Sequence, residues 1–136
     1  MATLTRVGEW LSISSQSDVE QVRRVARETA LAAGLDAEIA AEWTLVASEL
    51  ATNLLRHTPL GGSMKCSIAD ESRSALIIYC QDAGPGIASV PAAMVEGFTT
   101  ASGLGGGLAT VQRFSDDLQI DTSPEGTLIT VKRWLP

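Results

Sequence analysis

Ligands for soft metals are scarce in this chain, which has one histidine and two cysteines in 136 residues. Cys66 and Cys80 form no CxxC pair, so a zinc ligand set is not expected. Both fall in strand-like runs and read as buried free thiols rather than as a disulfide. Long apolar runs are also missing: none approaches the roughly 20 residues that cross a bilayer. The first residues, "MATLTRVGEW", lack a basic segment followed by an apolar stretch, so no signal peptide is expected. No membrane partner is expected either, and the cytoplasm is the expected compartment. Basic residues are the minority, ten Lys and Arg against sixteen Asp and Glu, for a net charge of −6. That balance is wrong for a nucleic-acid partner, which calls for a basic footprint. Local binding of a small anion stays open.

Core-forming residues, by contrast, are plentiful. Hydrophobic residues make up 45% of the chain, enough to fill the core of one domain spanning residues 1–136. "EWLSI" (9–13) reads as a short strand. A helix follows, with Ser17 and Glu20 at capping-box spacing and Gly34 as its stop. Val19, Val22, Ala26, Ala30 and Ala33 mark its buried side. A second helix starts after Asp36 as N-cap and runs to about His57, before Pro59 and two glycines. Its apolar stripe is Ile39, Trp43, Val46, Leu50 and Leu54.

The pattern then changes to period two around Met64, Cys66 and Ile68, and "ALIIYC" (75–80) reads as a strand buried on both faces. A short helical piece is expected near 90–97 and a further helix over about 106–115. "LQIDT" and "TLITVKRW" flank "SPEG" as a terminal hairpin. Helices, strands, one helix and strands again predict an α+β fold, a two-layer sandwich.

Three segments carry candidate chemistry. "SELATNLLRH" (48–57) places Glu49, Asn53 and His57 at four-residue steps, a polar stripe with about 6 Å between members. A solvated helix face would account for such a stripe alone. "DAGPGI" (82–87) puts a carboxylate at the end of the buried strand, and its glycines permit close approach of backbone to a flat ligand. A simple turn-capping aspartate fits Asp82 as well. "SGLGGGL" (102–108) opens into a helix, and exposed N–H groups there suit phosphate. It is no P-loop, for no Lys-Ser/Thr follows, and Leu108 stands where a dinucleotide fingerprint needs glycine. His57 reads as a helix-end residue. The three tryptophans read as packing rather than as adenine stackers, and Thr99, Thr100 and Ser102 as polar loop groups.

Taken in order and spacing, the segments resemble the GHKL (Bergerat-fold) ATP-binding superfamily of gyrase-type ATPases, sensor histidine kinases and bacterial anti-sigma-factor kinases. "SELATNLLRH" looks like its N box, "DAGPGI" and "GLGGGL" like its two glycine boxes, and "EGT" (125–127) like the short element near adenine. The resemblance implies a histidine-kinase-like α/β sandwich, with a mixed, mostly antiparallel sheet and helices on one face. It covers nearly the whole chain, so neither a phosphoacceptor helix pair nor a gyrase transducer is expected within it. Fifteen residues between Ile87 and Gly103 imply a short ATP lid.

A domain of this size is similar to the serine/threonine kinases that control bacterial sigma factors. "VEGFTTASGLGGGLATVQRFSDDLQI" resembles most the RsbT-like switch kinases of stress-signalling complexes, close to the RsbW-like anti-sigma-factor kinases. That resemblance implies ATP and Mg²⁺, with Asn53 as metal ligand through its amide oxygen and Glu49 as general base on a serine or threonine hydroxyl. Asp82 would accept from the adenine amino group. Gly84, Gly86, Ile87 and Thr127 would complete the base pocket, and Gly103, Gly105, Gly107 and Leu108 would hold the phosphates. Arg56 or Arg113 would neutralise charge, or be ordinary solvated arginines. The implied partners are a STAS-domain substrate or scaffold and a PP2C-type phosphatase activated by binding. The alternatives are an anti-sigma factor that sequesters sigma and phosphorylates its antagonist, and a nucleotide-gated binding module without significant catalysis.

Overall fold

The computed structural model describes residues 6–58, 61–70, 73–82, 104–124 and 126–136. In chain order these form β1 (Leu11–Ile13), α1 (Gln16–Ala32), α2 (Ala37–His57), β2 (Gly62–Asp70), β3 (Ser74–Asp82), α3 (Leu104–Arg113), β4 (Asp117–Ser123) and β5 (Gly126–Trp134). The piece expected at 90–97 lies outside the described residues.

Helix α1 begins one turn's fraction earlier than the Ser17–Glu20 spacing predicts. Its N-cap is Ser15, because the Asp18 carboxylate accepts from the backbone N–H groups of Ser14 (2.9 Å) and Ser15 (3.1 Å). Glu20 is instead paired with Arg23 at the surface. Helix α2 starts where the sequence places it: Asp36 accepts from the Ile39 N–H at 2.9 Å. At its other end the Thr58 backbone N–H donates to the Leu54 carbonyl, and the Thr58 hydroxyl bonds the carbonyls of Leu54 and Gly61, tying the helix end to the turn that follows.

The strands form one five-stranded sheet in the order β1-β2-β3-β5-β4. Every described pairing is antiparallel. Register puts Cys66 opposite Ile78, Ile78 opposite Val131 and Val131 opposite Leu118. Alternation therefore points Met64, Cys66, Ile68, Leu76, Ile78, Cys80, Ile129 and Val131 to one side. There they merge with Val19, Val22 and Ala26 of α1, Trp43, Val46, Leu50 and Leu54 of α2, and Leu108 and Val111 of α3 in a single buried cluster. All three described helices thus cover the same face, and the result is a two-layer α+β sandwich. Helix α1 packs along α2, and α3 packs on α2.

One glycine is demanded by this packing. A Cβ on Gly62 would come within 2.2 Å of the Gln81 carbonyl oxygen and 2.8 Å of Leu54 Cδ2. The end of α2 therefore rests directly on the start of β2.

Candidate active site

Leu54 on Gly62 fixes which end of the sheet meets the polar stripe of α2. Gly62 is paired with Asp82, and Asp82 with Thr127. Asp82 and Thr127 continue the core-facing rows of β3 and β5, so both side chains leave the sheet on the helix side. Thr127 is buried, and its hydroxyl shares a 3.0 Å hydrogen bond with that of Thr122, its neighbour on β4. Thr122 carries no sequence signal beyond its place in the hairpin, and only the register shows it supporting Thr127.

Asn53 directly precedes Leu54 and is buried to 9% exposure. Its Nδ2 has no hydrogen-bond partner among the described residues. An unpaired buried amide is costly, about 1–3 kcal/mol, and is rare in native structures. It is the kind of group that a ligand satisfies. Glu49, one turn earlier, is half-buried, which leaves its carboxylate within reach of solvent and of an incoming substrate.

Helix α3 packs on α2 and carries the glycine-rich segment at its start. Gly105 and Gly107 lie in its first turn, where backbone N–H groups have no intrahelical acceptor and the dipole favours an anion. Leu108 is fully buried in the core, so its side chain anchors that turn rather than touching a ligand. Arg113 falls in the last turn of α3, stacked over Phe114, at the end of the helix remote from the glycines. Arg56 is exposed near the end of α2. Gly84, Gly86, Ile87 and Gly103 lie outside the described residues. His57 closes α2.

Neither cysteine joins this chemistry. Burial pushes the Cys66 thiol up to about 12, and burial assisted by the nearby Asp82 charge pushes Cys80 higher still. Both are neutral core residues.

The described part of the candidate site is thus an amide on α2, a carboxylate at the end of β3 and a glycine-rich start of α3, the helix that packs on α2. Residues 14–133 match the family of histidine kinase-like ATPase domains. The chain belongs to that family. Among its curated relatives is the serine/threonine-protein kinase RsbT of Bacillus subtilis (strain 168), 33% identical over 124 residues, which cover 90% of this chain and 93% of RsbT. Two solved structures share the fold of this histidine kinase-like ATPase domain. The SiaB–SiaC complex from Pseudomonas aeruginosa superposes with a TM-score of 0.53 at 13% identity, covering 96% of this chain and 91% of the matched one. The histidine kinase domain of the blue-light activated histidine kinase of Erythrobacter litoralis EL346 superposes with a TM-score of 0.52 at 21% identity. The match covers 85% of this chain and 59% of that one. No described helix is long and apolar enough to cross a membrane.

Proposed function

We propose that this protein is an ATP-dependent serine/threonine kinase of the RsbT-like switch type, acting on a STAS-domain partner. The observation that carries the reading is the buried Asn53 side chain, whose Nδ2 donor lacks, among the described residues, an acceptor such as a phosphate oxygen would supply, one turn from Glu49, in a chain 33% identical to a serine/threonine kinase over nearly its full length.

In this reading Asp82 accepts from the adenine amino group, while Thr127 and the "DAGPGI" backbone of Gly84, Gly86 and Ile87 line the base. Gly103, Gly105 and Gly107 donate backbone N–H groups to the phosphates. Asn53 offers its amide oxygen to Mg²⁺. A single hard oxygen ligand is enough because this ion keeps several waters and takes further oxygens from the phosphates themselves. When bound, the ion supplies charge neutralisation between the β- and γ-phosphates. Glu49 takes the proton of the incoming hydroxyl as its oxygen bonds to the γ-phosphorus, and the bond to the bridging oxygen breaks to release ADP. A PP2C-type phosphatase, bound after release from the STAS partner, is the proposed downstream target.

The deciding experiment is phosphate transfer from labelled ATP to a purified STAS-domain protein by wild type and by Glu49→Gln, with nucleotide affinity measured in parallel. Transfer by wild type, none by E49Q and equal affinities are expected. Undiminished transfer by E49Q would remove Glu49 from the mechanism. Capture of a sigma factor in place of STAS proteins would favour the anti-sigma reading.

A further inference from the structure

The side of the sheet turned away from the helices carries no helix among the described residues, since α1, α2 and α3 all join the cluster on the opposite face, and only the segment before β1 reaches it, the Gly8 N–H donating to Ser67 Oγ at 3.0 Å. Alternation along β2, β3 and β5 assigns Ser63, Lys65, Ser67 and Ala69, then Ala75, Ile77, Tyr79 and Gln81, then Leu128, Thr130, Lys132 and Trp134 to this open side. It is not the polar surface that a solvated sheet presents. Ala75, Ile77 and Ser67 are already buried beneath their neighbours on this face, and Trp10, 47% exposed, lies 6.2 Å from Tyr79 between ring centroids. The Lys65 ammonium sits 4.9 Å from both of those rings. Trp134 extends the aromatic row, with the Arg73 guanidinium 4.7 Å from its ring.

The charge on this face is as unusual as its apolar content. The chain contains two lysines in all, Lys65 and Lys132, and both point here. Neither is in an ion pair among the described residues. The outward positions of the three inner strands include no carboxylate, although the chain as a whole carries a net charge of −6. Asp117 and Asp121 belong to the edge strand β4, opposite Lys132 and Leu128 on β5, and form a rim. A cationic, aromatic centre on an otherwise acidic protein steers an acidic partner to this face and away from the rest. Trp and Tyr flanked by basic groups are also the residue types that dominate binding energy at interfaces.

We propose that the open sheet face is a docking surface for an acidic amphipathic helix of a partner protein. Its apolar side would cover Trp10, Tyr79 and Trp134, and its carboxylates would pair with Lys65 and Lys132. A helix is the element that completes a sheet's second layer. This surface lies on the opposite side of the sheet from Asp82, Thr127 and Asn53, so it can be occupied together with the nucleotide site.

The test is NMR titration of the isotopically labelled full chain with a synthetic helical peptide of glutamates and leucines, its lysine-for-glutamate counterpart, and vesicles containing phosphatidylglycerol. The acidic peptide is expected to shift the Trp10 indole and the outward residues of β2, β3 and β5. Its affinity should fall as salt is raised and drop at least tenfold in the double variant Lys65→Glu, Lys132→Glu, which should bind nucleotide like wild type. Four results overturn the proposal: binding of the basic peptide as tight as that of the acidic one, shifts confined to α1 and α2, binding of vesicles where the peptide does not bind, and self-association of the free protein in sedimentation that the double variant abolishes, which would make the occupant a second copy.

Discussion

Asp82 and Thr127 are cross-strand partners at the end of the sheet that the last turns of α2 cover. They come from segments 45 positions apart in sequence, and register alone unites them. If they contact adenine as proposed, Asp82→Asn should weaken ATP-analogue binding by about 1.5–3 kcal/mol, the range for a hydrogen bond to a charged group. Thr127→Val should cost less, because Thr127 shares its hydroxyl with Thr122. Calorimetric titration of both variants checks this, and wild-type affinity in D82N would remove Asp82 from the base pocket.

Asn53 separates function from stability. Its Nδ2 is buried and makes no hydrogen bond among the described residues, so this group adds nothing to holding α2 in place and carries an uncompensated desolvation cost. Asn53→Ala should leave the melting temperature unchanged or raised, while nucleotide binding loses its Mg²⁺ dependence and phosphate transfer stops. Thermal denaturation alongside titration with and without Mg²⁺ measures both. A large drop in melting temperature with Mg²⁺-dependent binding intact would assign Asn53 a structural role.

Local chemistry made most of this architecture legible from sequence. Asp36 announces α2 because an aspartate before an apolar-periodic run is a cap wherever it occurs. The switch at Met64, Cys66 and Ile68 announces a half-buried strand in the same way. The start of α1 is less determinate, since "SSQSDVE" (14–20) offers two serines with an acidic residue three positions on, Ser15 with Asp18 and Ser17 with Glu20. Two backbone N–H groups converging on Asp18 decide in favour of Ser15. Long-range relationships left no local trace. The Thr122–Thr127 bond, the rest of Leu54 on Gly62 and the place of Arg113 at the far end of α3 depend on register and packing. The motifs could nominate Asn53, but its burial without a partner is visible only once α2 is packed on the sheet.

Gly62 tests the contact that sets the height of α2 over the sheet. A methyl group there would overlap the Gln81 carbonyl at 2.2 Å, backbone that cannot rotate away, as well as Leu54 Cδ2. Gly62→Ala should therefore destabilise the fold by about 1–3 kcal/mol, the usual cost of overpacking. It should also weaken nucleotide binding, because displacement of Leu54 moves the adjacent Asn53. Denaturant unfolding gives the first effect and calorimetry the second. An unperturbed midpoint would show that the α2–β2 contact is looser than described.

Asp18 gives the start of α1 a pH dependence of definite sign. Its carboxylate is held below the ordinary value of 3.8, chiefly by the Ser14 backbone N–H and then by the Ser15 side chain, with smaller help from the Ser14 hydroxyl and the Ser15 N–H. A group whose folded value is depressed stabilises the native state above its unfolded value and loses that contribution as pH falls through the folded one. Asp18→Asn should accordingly lower the melting temperature most at neutral pH, where wild type keeps the full contribution, and the two proteins should converge as pH falls from 3.8 through the lower folded value. Because the group is exposed, the gap should narrow as salt is added. Thermal melts of both proteins across this range decide the point. A gap that persists undiminished in acid would mean that the asparagine harms α1 through its shape or hydrogen bonding rather than through the missing charge.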